Sequence, residues 1–438
     1  MSEREPTDAE RFPTLTEHGA RMLEFLREHP SAPVFRNRSG NRLTHEEVAA
    51  AKAFEAEVAS APPSWTPGAR PAWLEEFVAH CRAEVPFHRR RGAMEFADLP
   101  TISRADLSHD IAAFVPDSAP IDGLINFRTS GTTGHPLLLA SHPTVAANYL
   151  AFHKKALRRF GIELRHGRGQ VGVVLVGFQR KCFTYASVTP TMDESGLAKI
   201  NLHPDDWRDP DNRARYLDAL DAEVITGDPL SFAELLRLPL KTRPRAMLST
   251  SMTLLPAFCR ELETRFGCPV LDIYSMNEAG PIAIGTEHGH ALLQHRMFVE
   301  ILAPDGSAAD RGEITLTGGF NPWVPLLRYR TGDHAELKWR DGEWLLAGLE
   351  GRPPVTFRTA NGDVLNNIEV THRLRRLPLA QWTLHQQCDG SLHLRWCGSA
   401  GLDAELRRAL DELFGALPLN IERVPGFDGK VIQYTAEI

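Results

Sequence analysis

Between residues 120 and 290 the chain alternates short apolar runs with amphipathic helical stretches, and few folds accommodate that alternation. GQVGVVLVGF, AEVITG, RAMLST and PVLDIY are runs of this kind. Apolar runs of this length, bounded by turn residues, read as strands buried on both faces. LLPAFCRELETRFG instead spaces its apolar residues as one face of a helix and ends at Gly267. Strands alternating with helices predict an α/β fold: a parallel or mixed sheet flanked by helices.

The pattern changes after residue 290. FVEILAPDGSAADRGEITLTGG and AELKWRDGEWLLAG read as strands joined by Asp-Gly turns, hence a β-rich subregion of antiparallel hairpins. Beyond Gly351-Arg352-Pro353-Pro354 comes a small α+β tail: the hairpin QWTLHQQCDGSLHLRWC, the helix DAELRRALDELFG, and a last strand pair in VPGFDGKVIQYTAEI. The double proline marks a domain boundary. Residues 1–68 read as a helical, polar N-terminal extension closed by APPSWTPGARP. The expected organisation is therefore that extension, a large domain over 69–351 and a small, mobile domain over 352–438. In PAWLEEFVAHCRAEV, Leu74, Phe77, Val78, Cys81 and Val85 share one helical face behind a first-turn proline, and Ser103 is a helix cap.

Composition narrows the function. A formal net charge of -7 gives no basic footprint for nucleic acid or an anionic membrane surface. No apolar run reaches the length of a membrane span, and MSEREPTDAERF has no apolar signal region, so a cytoplasmic protein is expected. The six cysteines form no C-x-x-C pair, which argues against a zinc ribbon or a disulfide framework. Eight lysines stand among 49 basic residues, so each lysine is a notable choice.

One stretch resists a packing explanation. FRTSGTTGHP sets Thr129, Ser130, Gly131, Thr132, Thr133 and Gly134 in unbroken succession. It is not the common nucleotide loop G-x-x-x-x-G-K-[ST], because its glycines lie too close together and His135 follows instead of lysine. The physical logic still transfers: glycines let backbone N–H groups approach an anion, and hydroxyls donate to phosphate oxygens. A flexible linker is the bland alternative. Four further stretches weigh against it: DIYSMNEAG (272–280), LLRYRTGDHAEL (326–337), GRPP (351–354) and FDGKVIQY (427–434). The second is expected to end a strand at a Gly-Asp turn that exposes Asp333. The last holds Lys430, the only lysine after Lys338.

In this order and spacing, the set resembles the adenylate-forming superfamily of acyl-CoA synthetases, luciferases and peptide-synthetase adenylation domains. VPFHRRR, EFADLPTISRADL and TSGTTG together resemble its phenylacetate–CoA ligase branch, which includes the acyl-protein synthetases of bioluminescence. The likeness runs from about Pro71 to the C-terminus. It implies that the loop from Thr129 to Gly134 binds the phosphates of ATP, Tyr274 stacks on adenine and Glu278 holds Mg²⁺. It further implies that Asp333 accepts from the ribose hydroxyls, Arg352 lies at a hinge near the ribose, and Ser251 in LSTSMTLL lines the adenine edge. Lys430 would swing in on the small domain to bridge the attacking carboxylate and the α-phosphate. The partners implied are a small-molecule carboxylic acid and CoA, with a homodimer allowed.

The chain departs from that pattern in two places. Ser275 replaces a glycine, and Asn277 replaces a hydroxyl residue whose phosphate contact an amide can still make. Ser275 therefore joins Phe178, Phe183 and Tyr185 as candidate acyl-pocket residues, suited to an aromatic or small acid. Pro353 and Pro354 stand where the family rotates its small domain, and proline fixes φ near −65°. An acceptor other than CoA, such as an amine, a carrier protein or a protein side chain, is the alternative this raises. A silent copy kept only for binding is a third reading. His288, His290 and His295 could in principle ligate a metal but are expected to belong to a polar hairpin, and HRRR (88–91) to be a solvated helix end.

Overall fold

The computed structural model describes the chain apart from residues 1–4, 93, 129–136, 166, 168, 180–181, 352–354, 375, 428–431 and 438. The hydroxyl loop Thr129–Gly134, the hinge from Arg352 to Pro354, and Lys430 thus lie outside the described residues. The rest forms two compact units, one of residues 1–14, 41–163 and 273–353, the other of 15–40, 164–272 and 354–438.

The first unit is built on antiparallel pairing. Its strands neighbour one another in the order Met297–Leu302, Arg311–Gly318, Leu326–Arg340, Glu343–Gly351, Gly289–Leu292 and Gly280–Thr286, and Gly280–Thr286 pairs with Ile273–Met276, the end of the strand Val270–Met276. The expected Asp-Gly hairpins are present. The core holds Trp65 stacked on Trp344 at 4.1 Å between ring centroids. Trp344 Nε1 donates to the Trp65 carbonyl at 3.0 Å, and Trp65 Nε1 to that of Met297 at 3.2 Å. These bonds satisfy the two indole donors where water cannot. The helices His45–Ser60 and Pro143–Arg159 pack together, and Lys154 of the second is buried against Glu55 of the first at 2.8 Å. Residues 41–68, read from sequence as part of a polar extension, thus supply core packing to this unit.

In the helix Leu74–Glu84 the expected face is buried at Leu74, Val78 and Cys81, with Val85 just beyond. Pro71 lies before that helix, where its carbonyl accepts the Leu74 N–H at 3.0 Å. His88 is buried against Phe114, so HRRR is not solvated throughout as expected: an apolar neighbour takes its first residue. His288 and His290 fall in the Gly280–Leu292 hairpin, whereas His295 bonds Glu57 at 2.8 Å. Among the described residues no cluster of His, Cys, Asp and Glu could hold a metal ion.

The second unit carries the parallel sheet that the apolar runs predict. Val270–Asp272, Ala246–Ser249, Val224–Gly227, Val171–Gly177 and Ser195–Asn201 pair in parallel, and Tyr185–Thr189 closes the edge antiparallel. Its helices have clear start and stop signals. Asp228 caps Pro229–Arg237 by accepting the Ser231 N–H at 2.8 Å. Gly267 ends Pro256–Phe266 with φ +68°, a left-handed position that favours glycine.

The same unit contains a four-stranded sheet in the order Leu419–Arg423, Leu392–Gly398, Leu379–Gln386, Tyr434–Ala436, with helix Asp403–Phe414. The expected C-terminal strand pair is not formed among the described residues. Tyr434–Ala436 instead pairs in parallel with Leu379–Gln386, and a strand the sequence did not announce, Leu419–Arg423, takes the far edge. No helix among the described residues is long and apolar enough to cross a membrane.

Candidate functional site

The strongest constellation lies in the first unit, on the strand Leu326–Arg340 and the turn after Val270–Met276. The Tyr-Arg-Thr-Gly-Asp sequence does not end its strand, as expected, but bulges it. Gly332 has φ +81°, its N–H donates to Glu313 Oε1 at 2.8 Å, and pairing resumes at Glu313 opposite His334. A bulge re-aims the side chain that follows it. Here that side chain is Asp333, whose N–H is held by Thr331 Oγ1 at 3.0 Å.

Tyr274, 59 residues earlier, donates its hydroxyl to Asp333 Oδ2 at 2.8 Å. Burial, followed by the Asp333 charge, drives the Tyr274 phenol well above its ordinary range, so it stays a donor. The two residues assigned to adenine and ribose are therefore brought together. Ser275, on the strand Val270–Met276, is half-buried, and Asn277, in the turn that follows, is exposed.

Glu278 follows, 5 % exposed. A carboxylate this deep needs a partner. It has Arg104, whose Nη1 donates to Oε1 at 2.7 Å, and the Tyr329 hydroxyl also bonds it. Burial and the charge of Glu278 push the phenol of Tyr149 up to about 12 and that of Tyr329 well above its usual value. Gly280 lets the turn close: its φ is +71° and an added Cβ would lie 2.5 Å from the Phe320 ring.

Arg104 is positioned by the EFADLPTISRADL segment. It opens the helix Arg104–His109, whose cap is Ser103, with N–H and Oγ both 2.8 Å from Asp106 Oδ2. The residue before the cap, Ile102, is laced to the site strand: its N–H donates to the Arg328 carbonyl at 3.0 Å and its carbonyl accepts the Arg330 N–H at 2.7 Å. Arg328 secures the lacing, with a fork on Glu300 at 3.1 and 3.0 Å and bonds to the carbonyls of Ala97 and Leu99 at 2.9 and 2.6 Å. Arg104 and Tyr329 belong to this constellation through Glu278, and sequence reasoning missed both. Both sit inside stretches singled out for other reasons, and only the fold shows their common partner.

Flanking the hydroxyl loop, Ile125–Arg128 and Leu138–Ser141 pair antiparallel. Glu278 offers a hard oxygen donor for Mg²⁺. One buried carboxylate, already balanced by an arginine, fits an ion that brings most of its ligands as phosphate and water oxygens.

The remaining candidates lie in the second unit. Ser251 is exposed with φ +71°, next to Thr250, whose N–H donates to the Gly227 carbonyl at 2.9 Å. Phe183 is 52 % exposed and meets the half-buried Tyr185 at 5.6 Å between centroids, with burial raising the Tyr185 phenol. Phe178 lies by His203 at 5.9 Å.

No protein-family profile matches the chain. It is 21% identical over 250 residues to Protein CapK of Staphylococcus aureus, a match covering 55% of this chain and 54% of that protein. The chain thus spans about half the length of the curated relative it matches. Among solved structures, 2-hydroxyisobutyryl-CoA ligase in the postadenylation state with 2-HIB-AMP superposes with a TM-score of 0.61 at 17% identity, covering 83% of this chain and 88% of the other. An open conformation of that ligase with 2-HIB-AMP and CoA gives 0.51 at 18%, covering 82% and 89%.

Proposed function

From a chain that has the fold of the adenylate-forming ligases, we propose an enzyme that activates a carboxylic acid with ATP as the acyl-adenylate. An oxygen of the acid's carboxylate attacks the α-phosphorus, and the bond from that phosphorus to pyrophosphate breaks. The acyl group then passes to an acceptor, CoA by default, with release of AMP. The observation that carries this reading is the Tyr274–Asp333 hydrogen bond beside a buried, arginine-balanced Glu278.

The chemistry asks for cations and fixed donors more than for a strong base, because negative charge builds on the phosphorus and on the leaving pyrophosphate. Asp333 accepts from a ribose diol, and Tyr274, its hydroxyl tied down, offers its ring face to a purine. Glu278 is the residue to hold Mg²⁺, which supplies charge neutralisation for the phosphates. Arg104 holds Glu278 in place through its hydrogen bond. The loop Thr129–Gly134 supplies phosphate donors, Asn277 an amide, Arg352 the hinge contact and Ser251 the adenine edge. Lys430 completes the site from the C-terminal segment 352–438. Phe178, Phe183, Tyr185 and Ser275 are proposed to set acid preference toward aromatic or small acids, in keeping with a phenylacetate–CoA ligase-like enzyme.

The sequence Gly351-Arg352-Pro353-Pro354 favours a second reading, in which the acyl group goes to an amine or carrier protein. Proline at 354 restricts the dihedrals on which a rotation toward CoA would depend.

The test is acid-dependent ATP–pyrophosphate exchange across aromatic and short aliphatic acids, with CoA absent. Exchange with at least one acid, abolished in Lys430→Ala while ATP still binds, is the expected result. Exchange that persists in Lys430→Ala removes the proposed mechanism. CoA and then amines, added in turn, decide the acceptor.

A further inference from the structure

The second unit contains a cavity of about 980 Å³ that none of the proposed adenylation residues line. Helices Pro229–Arg237 and Pro256–Phe266 form one wall, and the end of strand Leu392–Gly398 with the residues after it forms another. Five arginines face it, Arg237, Arg243, Arg260, Arg265 and Arg423, against a single carboxylate, Glu261.

The partners of these arginines are mostly uncharged. Arg265 donates to the carbonyl of Leu240 at 2.9 Å, Arg423 to that of Gly398 at 2.8 Å, and Arg243 to that of Thr242 at 3.2 Å. Carbonyls fix a guanidinium in space without cancelling its charge. Arg237 alone among the five pairs with a carboxylate, Glu234 at 3.1 Å, which also serves Arg213 at 2.8 Å. The Arg260 carbonyl accepts the Thr264 hydroxyl at 2.8 Å, but the Arg260 guanidinium has no hydrogen-bond or ion-pair partner among the described residues. Like charges gathered in one concavity repel each other, so the arrangement is costly until an anion enters.

The other lining groups say more about that anion. Glu261 accepts the Ser399 hydroxyl on one oxygen, while its Oε2 is buried with no partner, an acceptor left over for a hydroxyl or amino group. Leu236, Ala257 and Phe258 give the cavity an apolar side. Its volume suits a small molecule rather than a flat protein face. Guanidinium forks match the oxygens of phosphate in pairs.

We propose that this cavity is a second ligand site, which takes a small phosphate-bearing anion of at least two charges whose organic part carries a hydroxyl or amine. The inference does not depend on the adenylation reading.

The experiment is calorimetric titration of the full chain with inorganic tripolyphosphate. Binding is expected to weaken steeply with added salt. It should fall roughly tenfold or more in Arg243→Ala/Arg260→Ala and be partly regained in Arg243→Lys/Arg260→Lys. Unfolding midpoints near wild type establish that the variants are folded, since neither side chain makes an ion pair among the described residues. Two results overturn the proposal: no binding, or equal affinity in the alanine double variant. Hexaglutamate binding as tightly as tripolyphosphate also overturns it, because the site would then be a surface for acidic protein.

Discussion

Two carboxylates in the first unit, Glu278 and Asp333, are tied to the same strand yet live in different surroundings. Glu278 is buried and faces a cation, Arg104, at 2.7 Å. Asp333 is half-buried and faces a neutral phenol, Tyr274, at 2.8 Å. A charge balanced by another charge can be sunk into the protein and used to organise further charge. One held by a neutral donor keeps its negative field and remains an acceptor. The difference teaches that one corner is suited to phosphate chemistry and the other to recognition. Tyr329 joins them, since it bonds Glu278 and also senses Asp333.

The comparison breaks most readily at Glu278. Glu278→Gln keeps shape and a bond to Arg104 but removes the charge. Exchange is expected to fall on the order of 100- to 1000-fold, while nucleotide affinity, measured by equilibrium binding, changes far less. Equal losses in both would make Glu278 a binding residue like Asp333 and erase the contrast.

Arg104→Ala tests the same corner through folding. It leaves a buried carboxylate without its cation, and the expected loss is about 3 kcal/mol, the lower end for a broken buried pair because Arg104 keeps a third of its side chain exposed. Urea unfolding reads it. The double variant Arg104→Ala/Glu278→Gln should recover part of that loss, as the stranded charge is gone. Additive losses would mean the two residues act apart.

How far this site was legible differs between its parts. Tyr274, Glu278 and Asp333 could be proposed from sequence because each lies in a short motif that carries the resemblance to the adenylate-forming superfamily, and the structure brings the three close together. Arg104 and Tyr329 could not, since their role is set by pairing between segments 174 and 51 residues away from Glu278 along the chain. The fold shows the same division. The parallel strands were announced by apolar runs, and the Asp-Gly hairpins by their turns. The bulge at Gly332 passed for a turn because Gly-Asp serves both, and only Glu313 on the neighbouring strand distinguishes them. Leu419–Arg423 was missed because its alternation is weak: it is an edge strand, largely exposed.

Asp333→Asn sharpens the comparison from the other side. Losing the charge at the proposed ribose acceptor should weaken nucleotide binding by roughly tenfold, the scale of one hydrogen bond to a charged group. The exchange rate at saturating ATP should stay close to wild type. A large fall at saturation would place Asp333 in the chemistry and dissolve the distinction.

The smallest effect is expected at Tyr274→Phe. The ring face is kept and only the bond to Asp333 is lost, worth about 1 kcal/mol net. Two consequences oppose each other. Asp333 gains an open lone pair for a ribose hydroxyl, yet loses the donor that orients it. If orientation dominates, nucleotide affinity drops a few-fold and the loss vanishes when Asp333 is already Asn. If availability dominates, affinity rises slightly, and the phenol is then a gate on the acceptor rather than its support. Binding measured in the two single variants and the double variant separates these, because only an effect carried through Asp333 disappears in the cycle.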